Sequence, residues 1–194
     1  MGRPREFDAD EALDSALNLF WRKGYEGTSL SDLTEAMGIT RPSLYATFGN
    51  KEELFRKALD RYEAEGNACR CSALSQPTAR TAVEQLLRAF VDAQTDPEKP
   101  HGCLVVSCSM PCGEDAEPIR REILARRSAL EQEIRGRLER ARAEGDLPED
   151  QDPGDLARYI LTTANGLSVQ AAAGVSRREL HRVIDSFMRG WPSR

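Results

Sequence analysis

Residues 28–51 read TSLSDLTEAMGITRPSLYATFGNK, and this stretch decides the fold. Leu30, Leu33 and Met37 recur at helical spacing behind Thr28, which stands where an N-cap hydroxyl belongs. Gly38 breaks that helix. Thr40 caps the next one, Pro42 occupies its first turn, where a missing N–H is harmless, and Gly49 ends it. Two short helices joined by a tight turn form a helix-turn-helix, whose second helix would enter a DNA major groove N-terminus first.

On the amino-terminal side, Asp8 with Glu11 opens a helix bearing Leu13, Ala16, Leu17 and Phe20, which stops at Gly24. On the other side, Asn50 with Glu53 makes a capping box, and Leu54, Phe55, Ala58 and Leu59 carry a fourth helix to about Gly66. Beyond residue 67 the helices lengthen. Val83, Leu86, Leu87, Phe90 and Val91 form one amphipathic face, and a loop covers 96–101. A short apolar stretch, 102–108, stops at Pro111 and Gly113. A charged helix spans roughly Glu117–Ala143, with Ile119, Ile123, Leu130, Ile134 and Leu138 on its buried stripe. Asp152 with Pro153 opens the penultimate helix after an acidic linker, and Ser176 with Glu179 caps the last. No segment alternates with the period of a strand. The expected fold is all-α: a helix-turn-helix domain at 1–50, a connecting helix at 51–66 and a helical domain at 67–194.

The 194 residues, 40% hydrophobic and 30% charged, suffice for a core without disulfide or metal staples. A net charge of −5 argues against coating nucleic acid by bulk charge, though not against one small reading surface. Residues 1–61 hold nine Lys or Arg against eleven Asp or Glu, yet between Ala36 and Lys51 there is no acid while Arg41 and Lys51 remain. Arg41 can grip a guanine with both prongs of its guanidinium, and the Pro42 ring can pack on a thymine methyl. Helix N-termini near Thr28, Thr40 and Asn50 can offer N–H groups to phosphates. Tyr45, amphipathic and close to the tip of its helix, suits a phosphate better than the core.

These blocks together, LDSALNLFWRKGYEGTSL, SDLTEAMGI and TRPSLYATFGNKEELF, resemble the amino-terminal domain of the tetracycline-repressor (TetR) family over about residues 8–60. The resemblance implies phosphate contacts from Thr28, Tyr45, Thr47 and Lys51, and base contacts from Thr40, Arg41, Pro42 and Ser43. Leu44 and Phe48 lock the reading helix to its core. The arm bearing Arg3 and Arg5 looks like those that reach an adjacent minor groove, or is simply a solvated tail. Residues 67–194 look like the family's effector-binding and dimerisation domain. Their last two helices would pair with their copies through Leu167, Leu180, Ile184, Phe187, Met188 and Trp191; core within one subunit is the alternative for the same stripe. The expected function is a transcriptional regulator, in this family most often a repressor, that binds a near-palindromic operator as a homodimer. A helical adaptor without DNA binding, or a metal or redox thiol sensor as the main role, is the rival.

Five cysteines, an odd number, without an apolar export segment near Arg3, Arg5, Glu6 and Asp8, suggest thiols in a reducing cytoplasm. The segment HGCLVVSCSMPC places His101, Cys103, Cys108 and Cys112 together and resembles the Gly-Cys-Leu stretch of TetR-type regulators that respond to electrophiles. With Phe90, these residues are the candidate site for a small-molecule or electrophile effector. Alternatives are small apolar core residues and metal ligation, although the spacing matches no strong zinc signature. No Gly-rich phosphate loop or His-Glu-x-x-His is present, so neither an enzyme nor a cofactor is expected. The charge-free run 159–176 contains Thr162, Asn165, Ser168 and Gln170; it is too polar for a membrane span and fits a helix buried at a protein interface.

Overall fold

The structure, a computed structural model, describes residues 7–108 and 116–192. Arg3, Arg5 and Cys112 lie outside the described residues. Among those described, the regular elements are helices: α1 (Ala9–Lys23), α2 (Leu30–Met37), α3 (Arg41–Phe48), α4 (Lys51–Leu74), α5 (Ala79–Gln94), α6 (Leu104–Ser107), α7 (Glu117–Ala143), α8 (Pro153–Ala172) and α9 (Arg177–Arg189). Local chemistry sets most ends. The Asp8, Thr40, Asn50, Asp152 and Ser176 side chains accept backbone N–H groups of their own first turns. At the turn between α2 and α3, Gly38 holds φ +66°, a left-handed cap that a side chain would strain.

Two expected ends move. Ser29, not Thr28, caps α2, because Asp32 stands three residues after Ser29 and closes a capping box with it. Helix α4 does not stop near Gly66 but continues for two more turns, to Leu74. A lone exposed glycine costs a helix only about 1 kcal/mol, and Ala64, Ala68 and Ala73 around it favour continuation. Pro77 lies just past the actual end.

Two apolar cores result, and they do not follow the order of the chain. One is built by Phe20, Leu33, Leu44, Phe48, Leu54 and Phe55 of α1 to α4, joined by Leu104 and Cys108 and by Ile119 and Ile123 of α7. The other gathers Leu86, Leu87, Ile134, Leu138, Ile160 and Ile184 of α5, α7, α8 and α9. Thus α6 and the start of α7, far along the sequence, belong by packing to the helix-turn-helix unit.

Most of the stripe expected to meet a second copy turns inward instead. Leu167, Leu180, Ile184, Met188 and Trp191 are buried within the subunit, in the second core, and Phe187 packs half-buried against it. An amphipathic helix needs an apolar partner, and α5 and α8 of the same chain supply it. Tyr159, Val169 and Val183 of α8 and α9 are the large apolar side chains left outside, with Tyr159 58% exposed and its ring 5.0 Å from that of Phe187.

Candidate nucleic-acid interface and effector segment

Helix α3 is anchored from beneath. Leu44 and Phe48 are buried one turn apart, so the opposite face must look outward. Thr40, Arg41, Pro42, Tyr45 and Thr47 are exposed there, Tyr45 by 50%, and Ser43 is half-buried. Thr40 accepts the Ser43 N–H, and the two hydroxyls lie 2.9 Å apart, which fixes the first turn. The guanidinium of Arg41 donates from Nη2 to the Ser31 hydroxyl of α2 at 2.8 Å and, among the described residues, meets no carboxylate.

Neighbouring charges are handled differently. Lys23 neutralises Asp32 at 2.9 Å; its hydrogen bond, with those from Ser29, holds the Asp32 carboxyl well below the usual carboxylate range. Lys51 rests 4.4 Å above the Tyr25 ring, and burial lowers its pKa. Thr28 is fully buried, with its hydroxyl donated to the Gly24 carbonyl at 2.7 Å. It has no surface to offer a phosphate, so that expectation gives way. The neighbouring Ser29 is exposed at the start of α2.

The effector segment is tied to this unit from behind. Trp21 of α1, itself buried, donates its indole N–H to the Gly102 carbonyl at 3.2 Å. The Tyr62 ring of α4 meets Trp21 edge-on at 4.8 Å, and its hydroxyl donates to Cys103 Sγ at 3.4 Å. Burial, then the adjacent Cys103, raises the Tyr62 pKa well above that of a free phenol. Gly102 has φ +85°, and a Cβ there would stand 2.8 Å from that of Ala172, so only glycine lets the segment pass this close to α8. Cys103 is half-buried, Cys108 buried and His101 exposed. Phe90 packs against the second core, whereas Cys108 lies in the first, so among the described residues these two do not meet in one core.

Helix α4 is also clamped by charge. Arg61 reaches Asp14 of α1 at 3.1 Å, and Arg126 of α7 reaches Asp60 at 2.6 Å and Glu63 at 2.7 Å. A groove of about 450 Å³ lies between α4 and α5, lined by Ala68, Cys69, Ser72, Gln85, Arg88 and Asp92 among others. Neither it nor a cleft of about 300 Å³ between α7 and α8 is lined by Phe90, His101, Cys103 or Cys108. No cluster of metal-ligating side chains is found among the described residues, and none of their helices is long and apolar enough to cross a membrane. Sequence reasoning missed Ser31, Trp21 and Tyr62. On helices such residues read as ordinary solvated or packed side chains, and only their distant partners set them apart.

Comparison with known proteins agrees with this geometry. Residues 12–58 match the family model described as bacterial regulatory proteins, tetR family, and residues 78–187 match that of the tetracyclin repressor-like C-terminal domain. The HTH-type transcriptional repressor ComR of Escherichia coli (strain K12) is 35% identical, over 98% of this chain and 92% of its own. YezE of Bacillus subtilis (strain 168), an HTH-type transcriptional regulator, is 35% identical over 95% of this chain and 96% of its own. A cysteine mutant of the TetR family transcriptional regulator CifR, solved with 26-bp double-strand operator DNA, is 44% identical and superposes with a TM-score of 0.92, covering 98% of this chain and 100% of CifR.

Proposed function

This chain belongs to the tetR family of bacterial regulatory proteins and is a helix-turn-helix transcriptional regulator rather than an enzyme; from that premise we propose that it represses transcription as a cytoplasmic homodimer on a near-palindromic operator. The observation that carries this reading is the start of α3, where Arg41 stands exposed, held by a neutral hydroxyl and unquenched by any described carboxylate. In the proposed complex Arg41 takes a guanine edge, and Thr40, Pro42 and Ser43 line the adjacent bases. Tyr45, Thr47 and Lys51 reach phosphates, as do the N–H groups opening α2, and Arg3 and Arg5 form a minor-groove arm. The repressor ComR and operator-bound CifR support the assignment.

Two reading heads about 34 Å apart require two copies. The partner's seat is the outward face of α8 and α9, where Tyr159, Val183 and Phe187 cluster with Val169 further along, since the inward stripe is already filled. Selection of bound fragments from genomic DNA tests the core of the proposal. A two-fold symmetric motif is expected; no enriched sequence at any salt would overturn it.

Release is assigned to the segment around Cys103. Addition of its thiol across a quinone C=C forms a sulfur–carbon bond as that π bond breaks, the thiol proton ending on the quinone, which is left as the substituted hydroquinone. That bulk displaces the Tyr62 hydroxyl and strains the Gly102–Trp21 bond, and both α4 and α1 move with it. The groove between α4 and α5 favours a second reading, a reversible small molecule acting on the same helix. Operator release by quinone that is lost in Cys103→Ser favours the thiol. Equal release from both proteins favours the groove.

A further inference from the structure

We propose that Ser31 is a positioning residue that sets base specificity: its hydroxyl holds Arg41 extended over the DNA-facing surface, so that the guanidinium meets a base pair already oriented. The inference rests on the reading of α3 as the DNA-reading helix and names a residue of α2 as part of that reading.

Arginine carries about 2 kcal/mol of rotamer entropy, which a base contact must otherwise overcome at the moment of binding. Here the cost is met in the free protein. Ser31 and Arg41 stand ten residues apart on opposite sides of the Gly38 turn, and the 2.8 Å bond from Nη2 to the Ser31 hydroxyl spans it. Nη2 bears two hydrogens and Ser31 uses one of them. Either the end-on fork of Nη1 and Nη2 or the side-on fork of Nε and Nη2 therefore stays whole for guanine O6 and N7.

The chemistry of the holder matters. Lys23, Arg61 and Arg126 are held by carboxylates, which fix a cation but cancel its charge. A carboxylate at position 31 would compete with the guanine edge and repel the flanking phosphates. A serine hydroxyl orients the guanidinium and leaves its charge intact. Both residues are exposed, so the bond is spare in the fold and is explained by what it prepares.

The test is selection from a randomised 26-bp duplex library by the full chain, its Ser31→Ala, Ser31→Thr and Arg41→Ala variants, with melting temperature and affinity for poly(dA-dT) duplex recorded in parallel. Wild type is expected to enrich a symmetric motif with one guanine per half-site that Arg41→Ala no longer selects. Ser31→Ala should enrich the same motif with preference at that guanine reduced about fivefold, the scale of one net hydrogen bond. Its melting temperature and poly(dA-dT) affinity should match wild type, and Ser31→Thr should restore the preference. Unchanged preference in Ser31→Ala overturns the inference, as does a uniform loss over all sequences, which would make Ser31 a phosphate contact. Failure of wild type to enrich any motif overturns the DNA-reading assignment itself, and is thereby told apart.

Discussion

Helix α3 and the segment 102–108 are both short, and both carry residues to which we assign a role in the proposed function, yet they are held in opposite ways. α3 is fixed by its own neighbours: a Thr40 cap, a proline in the first turn, two buried anchors and one bond to α2. Its chemistry faces outward. The segment 102–108 has no side-chain cap on its four-residue helix and is held by remote groups, Trp21 from α1, Tyr62 from α4 and Ala172 from α8. Its chemistry faces inward, against the elements that carry α3. A surface that must present fixed donors gains from local rigidity, whereas a segment that must transmit a change gains from being a meeting point of distant helices.

The strongest way to break this contrast is Leu104→Ala. Leu104 is fully buried in the helix-turn-helix core, so truncation should cost about 2–5 kcal/mol in urea unfolding. Trp21 fluorescence should report the loss. A cost under about 1 kcal/mol would detach α6 from that core.

Next in size is Arg41→Ala, expected to cost about 1–3 kcal/mol of discrimination at one base pair while leaving stability unchanged. Lys51→Ala sharpens it: competition binding over a salt series should show all sequences weakened alike and the salt slope reduced by about one. A sequence-selective effect of Lys51→Ala would merge two roles kept separate here.

Trp21→Phe keeps an aromatic ring against Tyr62 but removes the indole N–H. The Gly102 carbonyl then loses its partner, a destabilisation of about 1–3 kcal/mol, and the quinone dose needed for operator release should change with it. Unchanged stability and an unchanged dose together would mean that the segment does not signal through α1.

The smallest effect concerns acid. The Asp32 carboxyl is held below its ordinary pKa by Lys23 and then Ser29, so its contribution to α2 is complete above about pH 4 and is lost as the pH falls through its native value. Melting temperatures of wild type and Asp32→Asn should differ by a constant amount at neutral pH and converge under acid. Convergence already at pH 7 would deny the pairing.

What could be read from sequence was what neighbours decide. The caps at Thr40, Asn50, Asp152 and Ser176 and the full extent of α7 were legible because each depends on residues within one turn. So were the exposed residues of α3, since Leu44 and Phe48 leave only one outward face. Thr28 and Ser29 are adjacent hydroxyls, and the deciding signal, Asp32 three residues after Ser29, was there to be found. The stripe Leu180, Ile184, Met188 and Trp191 was legible as a buried face but not as to whose core it joined. Periodicity names a face and not its partner. The Trp21–Gly102 and Tyr62–Cys103 contacts span 81 and 41 residues, a range over which spacing carries no information.

The central claim, that the exposed start of α3 reads operator bases, is met most directly by methylation interference on the enriched duplex with full-length protein. Guanine N7 methylation should block wild-type binding at one guanine in each half-site, the two about 34 Å apart along the duplex, and that block should vanish in Arg41→Ala. Interference that is identical in wild type and Arg41→Ala, or protection without any guanine dependence, would contradict the claim.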